Sequence, residues 1–211
     1  MSRKKSSRAW IQRHVNDPFV KQAQQKGYRA RAAFKLIELL EAEKVLHKGN
    51  IVVDLGAAPG SWSQVVRERL SEPDGRVNGR IIALDMLPMD PIDGVDFILG
   101  DFREQEVLDA LEHSLGGSQV DLVLSDMAPN LSGIAVADAA RVEHLSELAL
   151  DFAREHLQPN GTLMIKTFHG RGYAQIVEAF KRQFKQVQTR KPQSSRDSSA
   201  ETYLLARGLK P

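Results

Sequence analysis

Short apolar runs that end on or beside a charged residue recur along the chain, with helically spaced stretches between them. The runs are Ile51 to Leu55, Arg80 to Asp85, Val95 to Leu99, Val120 to Ser125 and Thr162 to Phe168, with two more candidates at Lys185 to Thr189 and Thr202 to Ala206. Runs of this length, bounded by turn residues, predict buried strands. Ser61 to Leu70, Glu104 to Leu115, Ala137 to Leu157 and Gly172 to Phe184 read as helices. Ahead of the first strand, Arg31 to Val45 carries Ala33, Leu36, Ile37, Leu40 and Ala42 near helical spacing, with Lys35 beside the stripe. Strand and helix alternate, which predicts an α/β, Rossmann-like fold: a seven-stranded, mostly parallel sheet flanked by helices. Ser71 to Gly79 and Met86 to Gly94 read as loops, Asn160-Gly161 as a turn, and Asp17-Pro18 as another turn before Gly27 breaks the following segment. Arg190 to Ala200, basic and Ser-rich, reads as a mobile surface loop.

Charge divides the chain in three. Residues 1–35 hold ten Lys/Arg and one acid, 36–180 hold eleven and twenty-four, and 181–211 hold eight and two. An acidic middle between basic ends predicts one basic face if the ends meet, a surface suited to a polyanion. Trp10, His14, Phe19 and Tyr28 interleave with the N-terminal charges, as in nucleic-acid contacts. Residues 1–30 are thus expected to form a basic N-terminal extension, disordered over Met1 to Ser7 with a short helix at Arg8 to Val15, and 31–211 the main domain. The absence of cysteine removes disulfides, thiolate catalysis and Cys-ligated zinc, and no metal is expected. No apolar run approaches the ~20 residues that span a bilayer, and no apolar core follows the basic N-terminus, so a cytoplasmic chain with no membrane partner is expected.

In a sheet of this kind ligands bind beyond the carboxyl ends of the strands. Asp54, Asp85, Asp101, Asp126 and Lys166 all fall at or just past such ends. The first run leads into Asp54-Leu-Gly56-Ala-Ala-Pro59-Gly60-Ser61-Trp62-Ser63, a strand, a glycine turn and the start of a helix. Gly56 allows a close backbone approach. Pro59 offers no N–H where a diphosphate would want one. The loop therefore fits an adenosine ligand without phosphates, such as S-adenosylmethionine, whose sulfonium suits the surrounding acids. Asp85 is placed for ribose hydroxyls and Asp101 for an exocyclic amine, with a helix N-cap as its alternative role. Trp62 can pack on the ligand or in the core. Lys166 sits inside an apolar strand, where an isolated ammonium is costly, and Asp126 on the neighbouring strand is its natural partner.

These segments, together with Gly100-Asp101-Phe102, Asp85-Met-Leu-Pro-Met-Asp and Ser125-Asp126-Met-Ala-Pro-Asn130, resemble the FtsJ/RrmJ family from about Tyr28 to Leu209. The resemblance implies a class I S-adenosyl-L-methionine-dependent ribose 2′-O-methyltransferase acting on 23S ribosomal RNA, with the large ribosomal subunit as partner, a uridine as target and a monomeric enzyme. It implies a Lys–Asp–Lys–Glu tetrad at Lys35, Asp126, Lys166 and Glu201, and cofactor contacts at Gly60, Trp62, Asp85, Asp101 and Asp126. Ser61 departs from the family pattern, standing where a second glycine is expected. In the chemistry so implied Lys166 is the base, neutral when it acts, or in a weaker version only positions the hydroxyl. The basic residues Arg3, Lys4, Lys5, Arg8, Arg13, Lys21, Lys26, Arg29 and Arg31, with Arg190, Lys191 and Arg196, are expected to track phosphates. Competing readings are methylation of tRNA or of an mRNA cap, a catalytically idle RNA-binding assembly factor, and a nicotinamide-dependent oxidoreductase. The last lacks G-x-G-x-x-G and carries Pro59.

Overall fold

A computed structural model describes residues 17–129, 132–196 and 199–211; the expected helix at Arg8 to Val15 and the arm before it lie outside them. The elements are α1 (Pro18–Lys26), α2 (Ala32–Glu43), β1 (Ile51–Leu55), α3 (Ser61–Leu70), β2 (Arg80–Asp85), β3 (Asp96–Leu99), α4 (Gln105–Leu115), β4 (Val120–Ser125), α5 (Ala135–His156), β5 (Leu157–Phe168), α6 (Tyr173–Gln183), β6 (Phe184–Arg190) and β7 (Glu201–Leu209). Seven strands form one sheet in the order β3-β2-β1-β4-β5-β7-β6. All neighbours pair in parallel except β7, which runs antiparallel to both β5 and β6. Strand order reverses between β1 and β4, the position at which open α/β sheets open a crevice for a ligand.

The side-chain period of two splits the core across the sheet. Val53, Ile82, Val123 and Leu163 face α4, α5 and α6, together with Leu111, Phe152 and Phe180. Their neighbours Val52, Ile81, Leu122 and Met164 face α2 and α3, together with Leu36, Trp62 and Val66. This parity decides where the charged residues point. Asp54 follows Val52, Asp85 follows Ile81 and Lys166 follows Met164, each by an even step, while Glu201 and Tyr203 share parity with buried Leu205. All are directed to the α2/α3 side.

Three local expectations are corrected. Asp17-Pro18 is not a simple turn. Asp17 caps α1, accepting from Phe19 N, with Pro18 in the first helical turn and Gly27 closing the helix at φ 75°. A first-turn proline and a C-terminal glycine are helix boundaries as much as turn signals. Asn160-Gly161 does not precede a strand but lies within β5, where the pairing with β4 slips between Val120 and Leu122 and residues 158–161 bulge out of register. Finally, the segment after Arg190 is not a loose surface loop: Pro192, Ser194 and Ser195 are buried. Glu38 accepts from the backbone N–H of Gln193 (2.6 Å) and Ser194 (3.0 Å), and Arg31 donates to the Ser194 carbonyl.

Candidate active site

The turn after β1 is built around backbone that a side chain would obstruct. Gly56 has φ 76°, and a Cβ there would lie 2.6 Å from Met127 Cγ. Gly60, at φ 104°, is the N-cap of α3, so Ser61 and Trp62 open the helix with N–H groups that lack intrahelical partners. Pro59 stands just before the cap. Asp85 ties this turn to its own loop by accepting from Ala58 N and from Leu87 N, each at 2.8 Å.

Asp54 is wholly buried under the turn. Ser63 Oγ donates to Oδ2 at 2.6 Å, and Oδ1 has no partner among the described residues. Burial pushes this carboxyl up to about 7; the Asp126 and Asp85 charges push the same way, and hydrogen bonds from Ser63 oppose them. Asp101 does not cap the next helix, whose N-cap is Glu104. Its carboxylate holds Arg103 instead, with contacts of 2.5 to 3.1 Å, and hydrogen bonds from Arg103 keep it below the usual carboxylate range. The Trp62 side chain faces the core rather than the crevice. It is 2 % exposed, donates to Ala32 O at 2.9 Å and packs against Tyr203. Only its backbone is offered to a ligand.

The four tetrad positions converge at the α2 side of β4, β5 and β7. Lys166 Nζ lies 3.0 Å from Asp126 Oδ1 and also donates to the Asp126 carbonyl. Lys35 Nζ, from α2, reaches both Glu201 oxygens at 2.6 and 2.8 Å. Register explains the meeting: antiparallel pairing sets Lys166 opposite Tyr203 and Phe168 opposite Glu201. Burial raises the Glu201 carboxyl, but Lys35, Lys166 and Ser195 Oγ (3.0 Å) outweigh it and hold it below its ordinary value.

Sequence reasoning missed the residue that joins these pairs. Tyr203 is fully buried, with its hydroxyl 3.3 Å from Asp126 Oδ1 and 3.4 Å from Glu201 Oε1. Burial, then the two carboxylates, raise its hydroxyl well above the ordinary phenol, so it stays a donor. A polar-tipped aromatic inside the run Thr202 to Ala206 was the available signal, since a buried Tyr needs a partner for its hydroxyl.

Arg3, Lys4, Lys5, Arg8 and Arg13 lie outside the described residues; within them, the stretch from Asp17 to Arg31 meets the segment after Arg190. Asp17 binds Arg31 and, at 3.1 Å, Arg196; burial raises its carboxyl, and the two guanidiniums with the Phe19 N–H bring it below the ordinary value. Several of the cations expected on phosphates have internal partners instead. Besides Arg31 and Arg196, Arg190 pairs with Glu43, Lys191 donates to Ser199 O at 2.9 Å, and Arg29 bonds loop carbonyls.

The chain is similar in sequence to a ribosomal RNA large subunit methyltransferase E from Bordetella avium, 65% identical over the whole chain and 96% of that protein. Proteins of the same description from Bordetella pertussis and Paraburkholderia phymatum are 63% and 58% identical, again over the whole chain and 100% and 99% of their own lengths. Among solved structures, a Plasmodium falciparum protein described as a ribosomal RNA methyltransferase superposes with a TM-score of 0.76 at 32% identity, over 86% of this chain and 98% of that one. The FtsJ-like methyltransferase pattern matches residues 28–209, and the chain belongs to that family.

Proposed function

We propose that this methyltransferase transfers the methyl group of S-adenosyl-L-methionine to a ribose 2′-hydroxyl, expected on a uridine, of 23S ribosomal RNA presented by the large ribosomal subunit. The observation that carries the reading is the convergence of Lys35, Asp126, Lys166 and Glu201 beside the Gly60 turn. The descriptions of its relatives support the ribosomal target. Two further assignments belong to the same reading: residues 1–30 serve as a basic extension to a catalytic domain at 31–211, and the enzyme works as a cytoplasmic monomer. Among the described residues no helix is long and apolar enough to cross a membrane.

The residues at the crevice suit the donor. It would be held by the backbone at Gly60 and Trp62 and by the acids Asp85, Asp101 and Asp126; for Asp101 to take part, Arg103 must swing aside. A helix N-terminus and several acids around one turn match a ligand with polar nucleoside edges and a cationic centre. When bound, the sulfonium supplies an electrophilic methyl group. What remains for the protein is to hold the 2′-hydroxyl in line and accept its proton. Lys166 serves both at Nζ: it holds the hydroxyl, and it takes that proton once the ammonium has released one to solvent. Asp126 aims the amine through side chain and carbonyl. The Lys35–Glu201 pair closes the opposite wall, and Tyr203 keeps the two carboxylates in fixed relation. Mapping ribose 2′-O-methyl groups on ribosomal RNA from cells with and without the gene tests the proposal. One uridine in 23S RNA should lose its methyl group. Loss confined to transfer RNA would overturn the target, and an unchanged map would overturn the activity.

A further inference from the structure

Arg29 belongs by sequence to the basic N-terminal stretch, yet its guanidinium is not turned toward a polyanion. Nη1 donates to Pro59 O at 3.0 Å and Asp90 O at 2.6 Å, and Nη2 donates to Pro91 O at 3.0 Å. Pro59 lies in the turn before α3; Asp90 and Pro91 lie in the loop that follows Asp85. One planar fork thus bridges the two loops that frame the crevice. It shares the space over Gly60 with Met89 and Ile92: an added Cβ would lie 2.7 Å from Nη1, 2.6 Å from Met89 Sδ and 2.9 Å from Ile92 Cδ1. The backbone that carries it is itself pinned to α3. Arg29 N donates to Gln64 Oε1 (2.9 Å), Gln64 Nε2 donates to Gly27 O (3.0 Å), and Tyr28 OH donates to Glu68 (2.6 Å). Asp85 joins the same two loops from within, through Ala58 and Leu87.

We propose that Arg29 is a positioning residue for the donor site: it clamps the Gly60 turn to the Asp85 loop and so sets donor affinity, rather than contacting RNA phosphate. The assignment rests on the donor reading above. The chemistry requires arginine. Three carbonyls on two loops, shared between Nη1 and Nη2, suit the guanidinium fork, whereas a lysine ammonium is a point charge that cannot reach them together. A phosphate contact would be partly restored by lysine, and the clamp would not. Two residues further on, Arg31 binds Asp17 and Ser194 O. The segment Gly27 to Arg31 therefore joins the donor loops to Asp17 and the segment around Ser194.

The test uses the full chain and the variants Arg29→Lys and Arg29→Ala. Calorimetric titration with S-adenosylhomocysteine, without RNA, should show roughly tenfold weaker binding for both variants. Amide hydrogen exchange across residues 86–93 should speed up in both. With large subunits as substrate, KM for the subunit and kcat at saturating donor should stay within about threefold of wild type. Unchanged S-adenosylhomocysteine affinity with a raised subunit KM, relieved by lysine, would make Arg29 a phosphate contact and overturn the proposal. If the wild-type chain binds no S-adenosylhomocysteine, the donor reading itself fails, an outcome distinct from equal binding by all three proteins.

Discussion

The crevice has two halves of opposite electrostatic character. Around the Gly60 turn, Asp54 and Asp85 pair with no Lys or Arg among the described residues, and the Asp85 and Asp126 charges help push the Asp54 carboxyl up to about 7, after burial itself. Across β4, β5 and β7 the account is neutral: two lysines face two carboxylates, and Glu201 is held below its ordinary value. The first half holds Asp85 without a Lys or Arg partner on a fixed backbone, with Asp54 buried beneath it and the Arg29 guanidinium engaged by loop carbonyls, and it suits a ligand that brings its own positive charge. The second satisfies itself in advance and presents an amine on a rigid mount, suited to an uncharged hydroxyl. Asp126 belongs to both halves, and substitutions graded by their expected effect on turnover separate the two contributions.

Lys166→Ala strikes only the neutral half. Methyl incorporation into large subunits should fall by ~10³-fold, the range removed with a positioned proton acceptor, while S-adenosylhomocysteine affinity stays within about threefold. Turnover near wild type would take Lys166 out of the mechanism. Asp126→Asn should damage both halves: a rate loss of ~10²-fold from the misaimed lysine, together with several-fold weaker donor binding. If calorimetry finds donor binding intact, Asp126 belongs to the tetrad alone and the donor half ends short of it.

Tyr203→Phe is a finer probe. The ring keeps its contact with Trp62, 5.8 Å between centroids. Only the hydroxyl between Asp126 and Glu201 is lost. Two carboxylates then face each other without the shared donor, at a cost of about 1 kcal/mol, which for a chain of this length is roughly 2–4 °C in thermal midpoint. Turnover should drop about tenfold through a looser Lys166, with donor affinity unchanged. An unchanged rate alongside the lowered midpoint would confine Tyr203 to folding.

The two halves also differ in how openly the sequence displays them. The donor half is written locally: Asp54, Gly56 and Gly60 are adjacent in the chain, and Asp85 and Asp101 each follow a recognisable strand. Parity along β1, β2 and β5 even fixes the side to which Asp54, Asp85 and Lys166 point. The neutral half depends on partners 166 residues apart, Lys35 and Glu201, joined only because β7 turns back antiparallel along β5. Period and composition carry no such information: Lys166 and Asp126 can be paired from their neighbouring strands, whereas Lys35 and Glu201 enter only through the resemblance to a family. Tyr203 passed as an ordinary strand residue for the same reason. The segment after Arg190 looked like a surface loop because its polar atoms are satisfied by Glu38 and Arg31, far away in sequence. Position leaves Trp62 open between ligand and core; its indole N–H finds the Ala32 carbonyl, a partner no local pattern announces.

Asp54→Asn probes the donor half with the least expected effect on turnover, at most about threefold at saturating donor, since Asp54 lies beneath the turn and not in the crevice. Its effect on stability has a definite sign. In the unfolded chain this carboxyl ionises near its ordinary value of 3.8, whereas in the folded chain it keeps its proton up to about 7. Between those values the unfolded state releases a proton that the folded state retains. The stability contributed by Asp54 is therefore full below the lower value, declines as pH rises, and is exhausted above the upper one. Asparagine keeps the shape and removes the titration. At pH 4 the two proteins should melt together. By pH 8 the variant should be more stable by on the order of 4 kcal/mol, roughly 8–16 °C in midpoint. Parallel midpoint curves from pH 4 to 8 would mean that Asp54 is ionised in the folded chain, with a compensating group beside it.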